Sequence, residues 1–413
     1  MTQVVKTERN LPFWKKPITF NLIVDFFIIA YVISVYTFSY NELNFISKAL
    51  ALVLMGLLAI YALKKGTIRF DGLGICLGLF TLVCMLSCLW AVDMSAAMTG
   101  TTTMVQIFIL VALLYNYVRK EEKTDFFISV MCIAATVFAI YTVLYFGIDN
   151  YFRGLEEGER IGTGINNVNA IGMMSTSAFL LNLWYAFYRK KWFYLLTGTI
   201  CLVVMLGSGS RTATIGLILG TVALFVLKGK GRKRFISLLQ CMAIMLLLYL
   251  ILQLPSFDVF RDRFNQMIEG FLGSGVADNS AESRFNMIEL GLKSFAQRPF
   301  TGVGIRNSNA ITQEIGLSTY LHNNYVELLA TVGIFGTIFY YLMFLMPFGR
   351  LIKNAFKQNH YAIIGAVLLG VNLVFQFGVV DYYNKVSYLY VILFWLIASR
   401  IKEKPDEVFE RAR

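Results

Sequence analysis

Charge is scarce in this chain: Asp, Glu, Lys and Arg make up only 15% of its residues, apolar types make up 57%, and the mean hydropathy is +0.63. So little charge cannot clothe a soluble domain, and the composition points to a membrane protein. Proline is sparse, with 6 residues, and no Pro/Ser linker, soluble tail domain, low-complexity run or obvious internal repeat breaks the pattern. A single polytopic membrane domain over residues 1–413 is the expected organisation. The six cysteines, Cys76, Cys84, Cys88, Cys132, Cys201 and Cys241, fall in apolar stretches without metal-type pairing and read as small packing residues. Asp258, Asp262, Asp278, Glu269 and Glu282 are scattered among arginines and form no close acidic motif for a divalent ion. The expectation is therefore a protein without metal or other cofactor.

What the chain has instead is a succession of apolar stretches. About 20 residues of helix cross roughly 30 Å of hydrocarbon, and a spanning segment must be helical because lipid satisfies no backbone group. Twelve spans are expected, near residues 18–38, 45–63, 70–90, 101–118, 125–147, 168–188, 192–209, 211–227, 234–254, 323–349, 360–380 and 385–400. The first ends at Tyr40, Asn41 and Glu42 with no small-residue cleavage site, so it reads as a retained span rather than a signal peptide.

Basic residues gather in alternate loops: Lys64, Lys65 and Arg69; Arg119, Lys120 and Lys123; Arg189, Lys190 and Lys191; Lys228, Lys230, Arg232, Lys233 and Arg234. Together with the two ends and Arg350 to Lys357 they hold most of the 37 Lys and Arg, so these loops and both termini are expected to be cytoplasmic. The net charge of +12 is then explained by clusters facing anionic lipid, and nucleic-acid binding is not expected.

Two external segments remain, residues 148–167 and a large loop over 255–322. Loops this long are either functional or disordered, and the second one is patterned. Val259, Phe260, Phe264, Met267, Ile268 and Phe271 recur at helical spacing opposite Arg261, Asp262 and Arg263, which predicts an amphipathic interfacial helix. A second helix is predicted to start near Asn279, with Glu282 three residues on, and to stop before Pro299. Arg284 shares its apolar stripe with Ile288 and Leu292, an unusual place for an arginine.

Arg211, in Gly207-Ser208-Gly209-Ser210-Arg211-Thr212, opens a span. A cation there opposes the helix dipole, so its retention points to an anionic partner; a snorkelling loop arginine is the competing reading. His322, one of only 2 histidines, precedes Asn323-Asn324-Tyr325-Val326-Glu327 at the external end of the tenth span. A neutral imidazole suits removal of a proton from a sugar hydroxyl, and a cap or interface histidine is the alternative. His360 lies beside Lys353 and Lys357 and reads as structural. Two arginines and a histidine on the outer face describe a diphosphate site, since guanidinium forks grip phosphate oxygens bidentately.

Ser210-Arg211-Thr212, then Arg284 followed by Pro299-Phe300-Thr301-Gly302-Val303-Gly304, then His322-Asn323-Asn324-Tyr325 resemble, in order and topology, the signature of the bacterial O-antigen ligase and polysaccharide polymerase superfamily. Arg160-Ile161-Gly162-Thr163-Gly164-Ile165-Asn166-Asn167-Val168-Asn169-Ala170 is similar to the family's stretch leading into its sixth span. The motifs occupy mainly residues 160–340; the first four spans match in character only.

The resemblance implies an all-α integral membrane protein of the C-type glycosyltransferase architecture in the bacterial plasma (inner) membrane, with its site facing the extracytoplasmic side. It implies metal-independent inverting transfer of glycan from undecaprenyl diphosphate, with Arg211 and Arg284, and less directly Arg160, holding the donor diphosphate and His322 as the base. Asn323, Tyr325 and Glu327 would support the site, while Gly302 and Gly304 read as turn formers. The acceptor would be another lipid-linked repeat unit in a polymerase or lipid A core in a ligase. The doubled Asn323-Asn324 with Tyr325 and Glu327 looks more like polymerases of capsules and exopolysaccharides. Flippase and chain-length regulator proteins are the partners such an enzyme would meet. A transporter or flippase also fits twelve spans, but the asymmetric chain with few prolines lacks the paired interrupted halves of carriers. A non-catalytic assembly scaffold would need none of the Arg and His set.

Overall fold

The computed structural model describes residues 19–39, 41–66, 68–157, 159–162, 164–255, 258, 261 and 279–403. All regular structure among them is helical. The order is α1 (Phe20–Phe38), α2 (Asn44–Lys65), α3 (Gly72–Ser87), α4 (Met94–Lys120), α5 (Thr124–Phe146), α6 (Ile148–Glu156), α7 (Val168–Tyr188), α8 (Phe193–Gly207), α9 (Arg211–Val226) and α10 (Arg232–Leu252). After residues 253–278 come α11 (Asn279–Gln297), α12 (Ser308–Thr312), α13 (Asn324–Phe356), α14 (His360–Phe375) and α15 (Lys385–Glu403).

Each expected span coincides with a helix. Seven are long and apolar enough to cross a membrane: α1, α2, α4, α5, α7, residues Arg232–Ile251 of α10, and α13. Helices α3, α8, α9 and α14 are apolar but shorter, with 16, 15, 16 and 16 residues. α15 carries Arg400 and Lys402 in its last turn. The predicted amphipathic helix from Val259 to Phe271 lies outside the described residues, as do both chain ends. The second predicted helix of that loop is present as α11. Sequence periodicity passed over the short α6 and α12, which fill parts of the segments 148–167 and 255–322.

Helix starts follow the short polar side chains. Thr19, Asp71, Asp93, Asn167, Ser210, Asn323 and Asn359 each accept a hydrogen bond from a first-turn backbone N–H, satisfying donors that a helix leaves unpaired. The centre of the bundle is α7, 89% buried over its apolar window, with α14 and α15 almost as enclosed; α10 is the most peripheral, 17% buried. Exposed Leu239, Met242, Leu246 and Tyr249 on α10 suit contact with lipid.

One long helix is broken where the site is built. α13 has a non-helical residue, Gly333, at φ 69° and ψ −173°, a region open essentially to glycine alone. The break frees carbonyls that the Pro299–Gly304 segment takes up: Val303 N donates to Ala330 O and Gly304 N to Thr331 O, each at 2.9 Å, and Ile334 N donates to Pro299 O at 2.9 Å. A Cβ on Gly302 would strike the Thr331 backbone, and one on Gly333 the Phe300 carbonyl. Gly302 at φ 63° and Gly304 at φ 103° therefore do more than turn the chain; they let two backbones touch. The Pro299–Gly304 segment is thus sewn onto the start of α13.

Candidate active site

His322 sits one residue before the cap of α13. Its own φ is 54°, the left-handed region that costs a non-glycine residue about 1 kcal/mol or more, a strain that collects at functional positions. Asn323 is the cap: its Oδ1 accepts from Tyr325 N at 3.0 Å and Val326 N at 3.1 Å. Glu327, 1% exposed, accepts from Leu321 N at 2.9 Å. Glu327 therefore fixes the backbone immediately before His322 rather than the imidazole. The ring's Nδ1 is buried and has no hydrogen-bond partner. Tyr325 packs its ring on Tyr341 at 4.8 Å and donates its hydroxyl to Leu373 O at 2.8 Å, which makes it a strut between α13 and α14.

Burial, and then the nearby Arg284 guanidinium, push the His322 pKa down to about 4, so the imidazole is neutral at physiological pH. Tyr320 lies beside it with ring centroids 4.1 Å apart. Burial raises the Tyr320 hydroxyl pKa while the Arg284 charge pulls it back, so Arg284 lies near both rings. Arg284 reaches them because α11 packs on α13: Met287 is buried, and Gly291 leaves room for Val326 and Leu321.

Arg211 is the first residue of α9, as its neighbours predict, with Ser210 as cap. Arg160 docks on the same turn: its Nε donates to Ser208 O at 3.0 Å and one terminal nitrogen to Asn169 Oδ1 at 2.8 Å, while Ile161 N donates to Gly207 O at 3.0 Å. Gly172 of α7 lets Ser208, Ser210 and Ala213 approach closely.

Two bridges join the Arg160 and Arg211 turn to the Arg284 and His322 pair. Asn167 donates its amide to the Tyr320 hydroxyl at 3.0 Å. The turn after α14 touches both sides, with Gly378 against Thr212 and Gln376 O accepting from Asn324 N at 2.8 Å. Asn324 is the hub that sequence reading noted but gave no role. Its amide donates to Gln376 Oε1 at 2.8 Å, and its Oδ1 accepts from Asp381 N at 2.8 Å and Tyr382 N at 3.1 Å. Tyr320, Asn167 and the 376–382 turn were also missed, and no spacing in the chain announces such long-range partners.

A family model described as O-antigen ligase matches residues 196–341, less than half of the chain. The match supports an O-antigen ligase/polymerase-like family. The matched stretch contains Arg211, Arg284, His322, Asn323, Tyr325 and Glu327, and leaves Arg160 and the 376–382 turn outside. That family implies glycosyltransferase-like ligase or polymerase activity on lipid-linked glycans in general, and with the apolar helices it suggests a multi-pass membrane protein. No curated protein matches the chain.

Among the described residues no three of His, Cys, Asp or Glu lie together as a metal-binding group. The arrangement offers the Arg284 guanidinium near a neutral imidazole. Such a set can hold a diphosphate and accept one proton.

Proposed function

We propose that the protein is a polysaccharide polymerase, moving glycan from undecaprenyl diphosphate onto another lipid-linked repeat unit at the outer leaflet of a bacterial plasma membrane. In this reading all twelve apolar helices cross the membrane, both chain ends are cytoplasmic, and residues 255–322 face outward. The observation that carries it is the neutral, backbone-strained His322 with the Arg284 charge nearby.

A ring nitrogen of the neutral His322 takes the proton of an acceptor hydroxyl as that oxygen attacks the anomeric carbon. The bond from that carbon to the diphosphate breaks, its electron pair leaves on the diphosphate oxygen, and the configuration inverts. Arg284 and Arg211 stabilise the charge that grows on the leaving group, with Arg160 holding the Arg211 turn and adding to the positive field. No metal is required. Glu327 and Asn323 act by fixing the backbone on either side of His322. A flippase would supply the substrate and a chain-length regulator would set product size.

A ligase reading is favoured by the description of the matched family, and it uses the same residues with lipid A core as acceptor. The test is glycan transfer by purified protein in detergent with EDTA, using undecaprenyl-diphosphate-linked repeat units as donor and acceptor, with His322→Ala and Arg284→Ala as controls. A ladder of products is expected. Transfer to lipid A core without a ladder makes the protein a ligase, and neither product with authentic substrates favours transport or scaffolding.

A further inference from the structure

Behind the turn that braces Asn324 lies a second polar site that the transfer chemistry does not use. A cavity of about 40 Å³ sits between α7, α14, the 376–384 turn and α15. Its polar lining is Ser177, Asn372, Asp381, Asn384, Ser387 and Tyr390. Asp381 and Asn372 are each only 6% exposed. The Asp381 carboxylate accepts from Asn384 Nδ2 at 2.9 Å and from the Ser387 hydroxyl. Asn372 Oδ1 is buried without a hydrogen-bond partner. Ser177 lies beside Tyr390. No lysine or arginine lines the cavity, and among the described residues none forms an ion pair with Asp381.

The lining is thus rich in oxygen acceptors, carries one buried carboxylate, and presents no cation of its own. A buried carboxylate held only by neutral donors is costly, and the unpartnered amide oxygen of Asn372, a residue of the same lining, adds to that cost. Hard oxygen ligands with a single negative charge match a monovalent alkali cation. A divalent ion would call for more carboxylates, and calcium for six to eight oxygens. The room suits one ion with a water or two, since each water needs roughly 10–15 Å³.

We propose that this cavity binds a sodium or potassium ion through Asp381, Asn372 and their neighbouring hydroxyls, and that the ion locks the 376–384 turn against Asn324. The ion is structural. It is separate from the transfer chemistry, and its binding is measurable without glycan substrates.

The test is thermal unfolding of the full chain in detergent at mildly alkaline pH, in sodium, potassium or choline chloride of equal ionic strength. A saturable rise in the unfolding midpoint with sodium or potassium over choline is expected, and Asp381→Asn should remove it. Asn372→Leu, which loses one ligand oxygen and leaves no buried amide, should shift half-saturation about tenfold higher, the scale seen when one group is taken from a metal site. Equal midpoints in all three salts mean that only water or a proton occupies the cavity and overturn the proposal. An unchanged cation response in Asp381→Asn, or an unchanged half-saturation in Asn372→Leu should the first variant fail to fold, places the effect elsewhere and overturns it too.

Discussion

At the end of the bundle that carries the basic loops, charge is met by charge. Asp25 pairs with Lys123 at 2.7 Å, Asp71 with Arg119 at 2.8 Å, and Asp125 with Arg189 at 3.3 Å and Arg400 at 2.9 Å. Tyr117, Tyr115 and Tyr361 each donate to one of those acids, so three clusters tie α1 to α4, α3 to α4 and α15, and α5 to α7, α14 and α15. At the other end, where His322 and Arg284 meet, the joints are backbone ones: Pro299–Gly304 against the broken turn of α13, Asn323 and Asn324 on N–H groups, Glu327 on Leu321 N. One end uses its ionisable side chains for cohesion. The other is joined largely through main-chain groups.

The comparison is broken most sharply by His322→Ala. Glycan transfer should fall by a hundredfold to ten-thousandfold, the usual share of a general base, with the unfolding midpoint close to wild type. His322→Asn, whose residue type tolerates the left-handed region, should be as inactive and at least as stable. If either variant keeps transfer within a few-fold of wild type, His322 is not the base.

Next in size is Gly333→Ala. The backbone at this position excludes a Cβ on conformational grounds, and the Phe300 carbonyl excludes it on steric ones. The loss should be about 3 kcal/mol or more, read as a lowered unfolding midpoint in detergent, and transfer should fall with it because the His322 loop rests on this joint. A variant with wild-type stability would mean that the break in α13 is not what holds the Pro299–Gly304 segment.

How much of this was legible in the chain depends on the range of the interaction. Each expected span coincides with a helix because apolar length and a polar cap are local properties: Ser210 before Arg211 marks the start of α9 within a turn of sequence. The Arg284 and His322 pair was visible only as two residues of suitable type. Their meeting depends on α11 lying on α13, which Met287 and Gly291 arrange and which no periodicity states. Glu327, five residues beyond His322, stands in the sequence only as a supporting group, and the structure shows its carboxylate on the Leu321 N–H. Gly333 was invisible because a glycine inside an apolar run looks like any small packing residue. The Asp381 turn was likewise hidden, since its partner Asn324 lies 57 residues away.

At the charged end, Asp25→Asn should cost about 1–3 kcal/mol, because Lys123 Nζ lies 2.7 and 2.8 Å from its two oxygens and would lose its counter-charge in a largely enclosed place. Transfer per folded molecule should stay within about twofold, as these helices touch no site residue. Unfolding midpoints and rates measured on the same preparation separate the two effects. A large loss of transfer with an unchanged midpoint would mean that the two ends are coupled and would remove the contrast drawn here.

The smallest effect is the position of the acid limb in the pH profile. His322 works as a base only when neutral, and its pKa in the free protein is pushed down to about 4 by burial and Arg284. Transfer measured as kcat/KM should therefore hold steady from neutrality downward and fall only as pH nears that value. Removing the guanidinium by Arg284→Gln removes a charge that opposes the imidazolium, so the limb should move to higher pH, whatever the loss in absolute rate. Bound diphosphate works in the same direction, since an anion beside His322 favours its protonated form. The kcat profile, which reports the substrate complex, should then show its acid limb at higher pH than the kcat/KM profile. Limbs that coincide in wild type, and stay put in Arg284→Gln, would separate His322 from the diphosphate and from Arg284 and return that end of the molecule to a purely structural role.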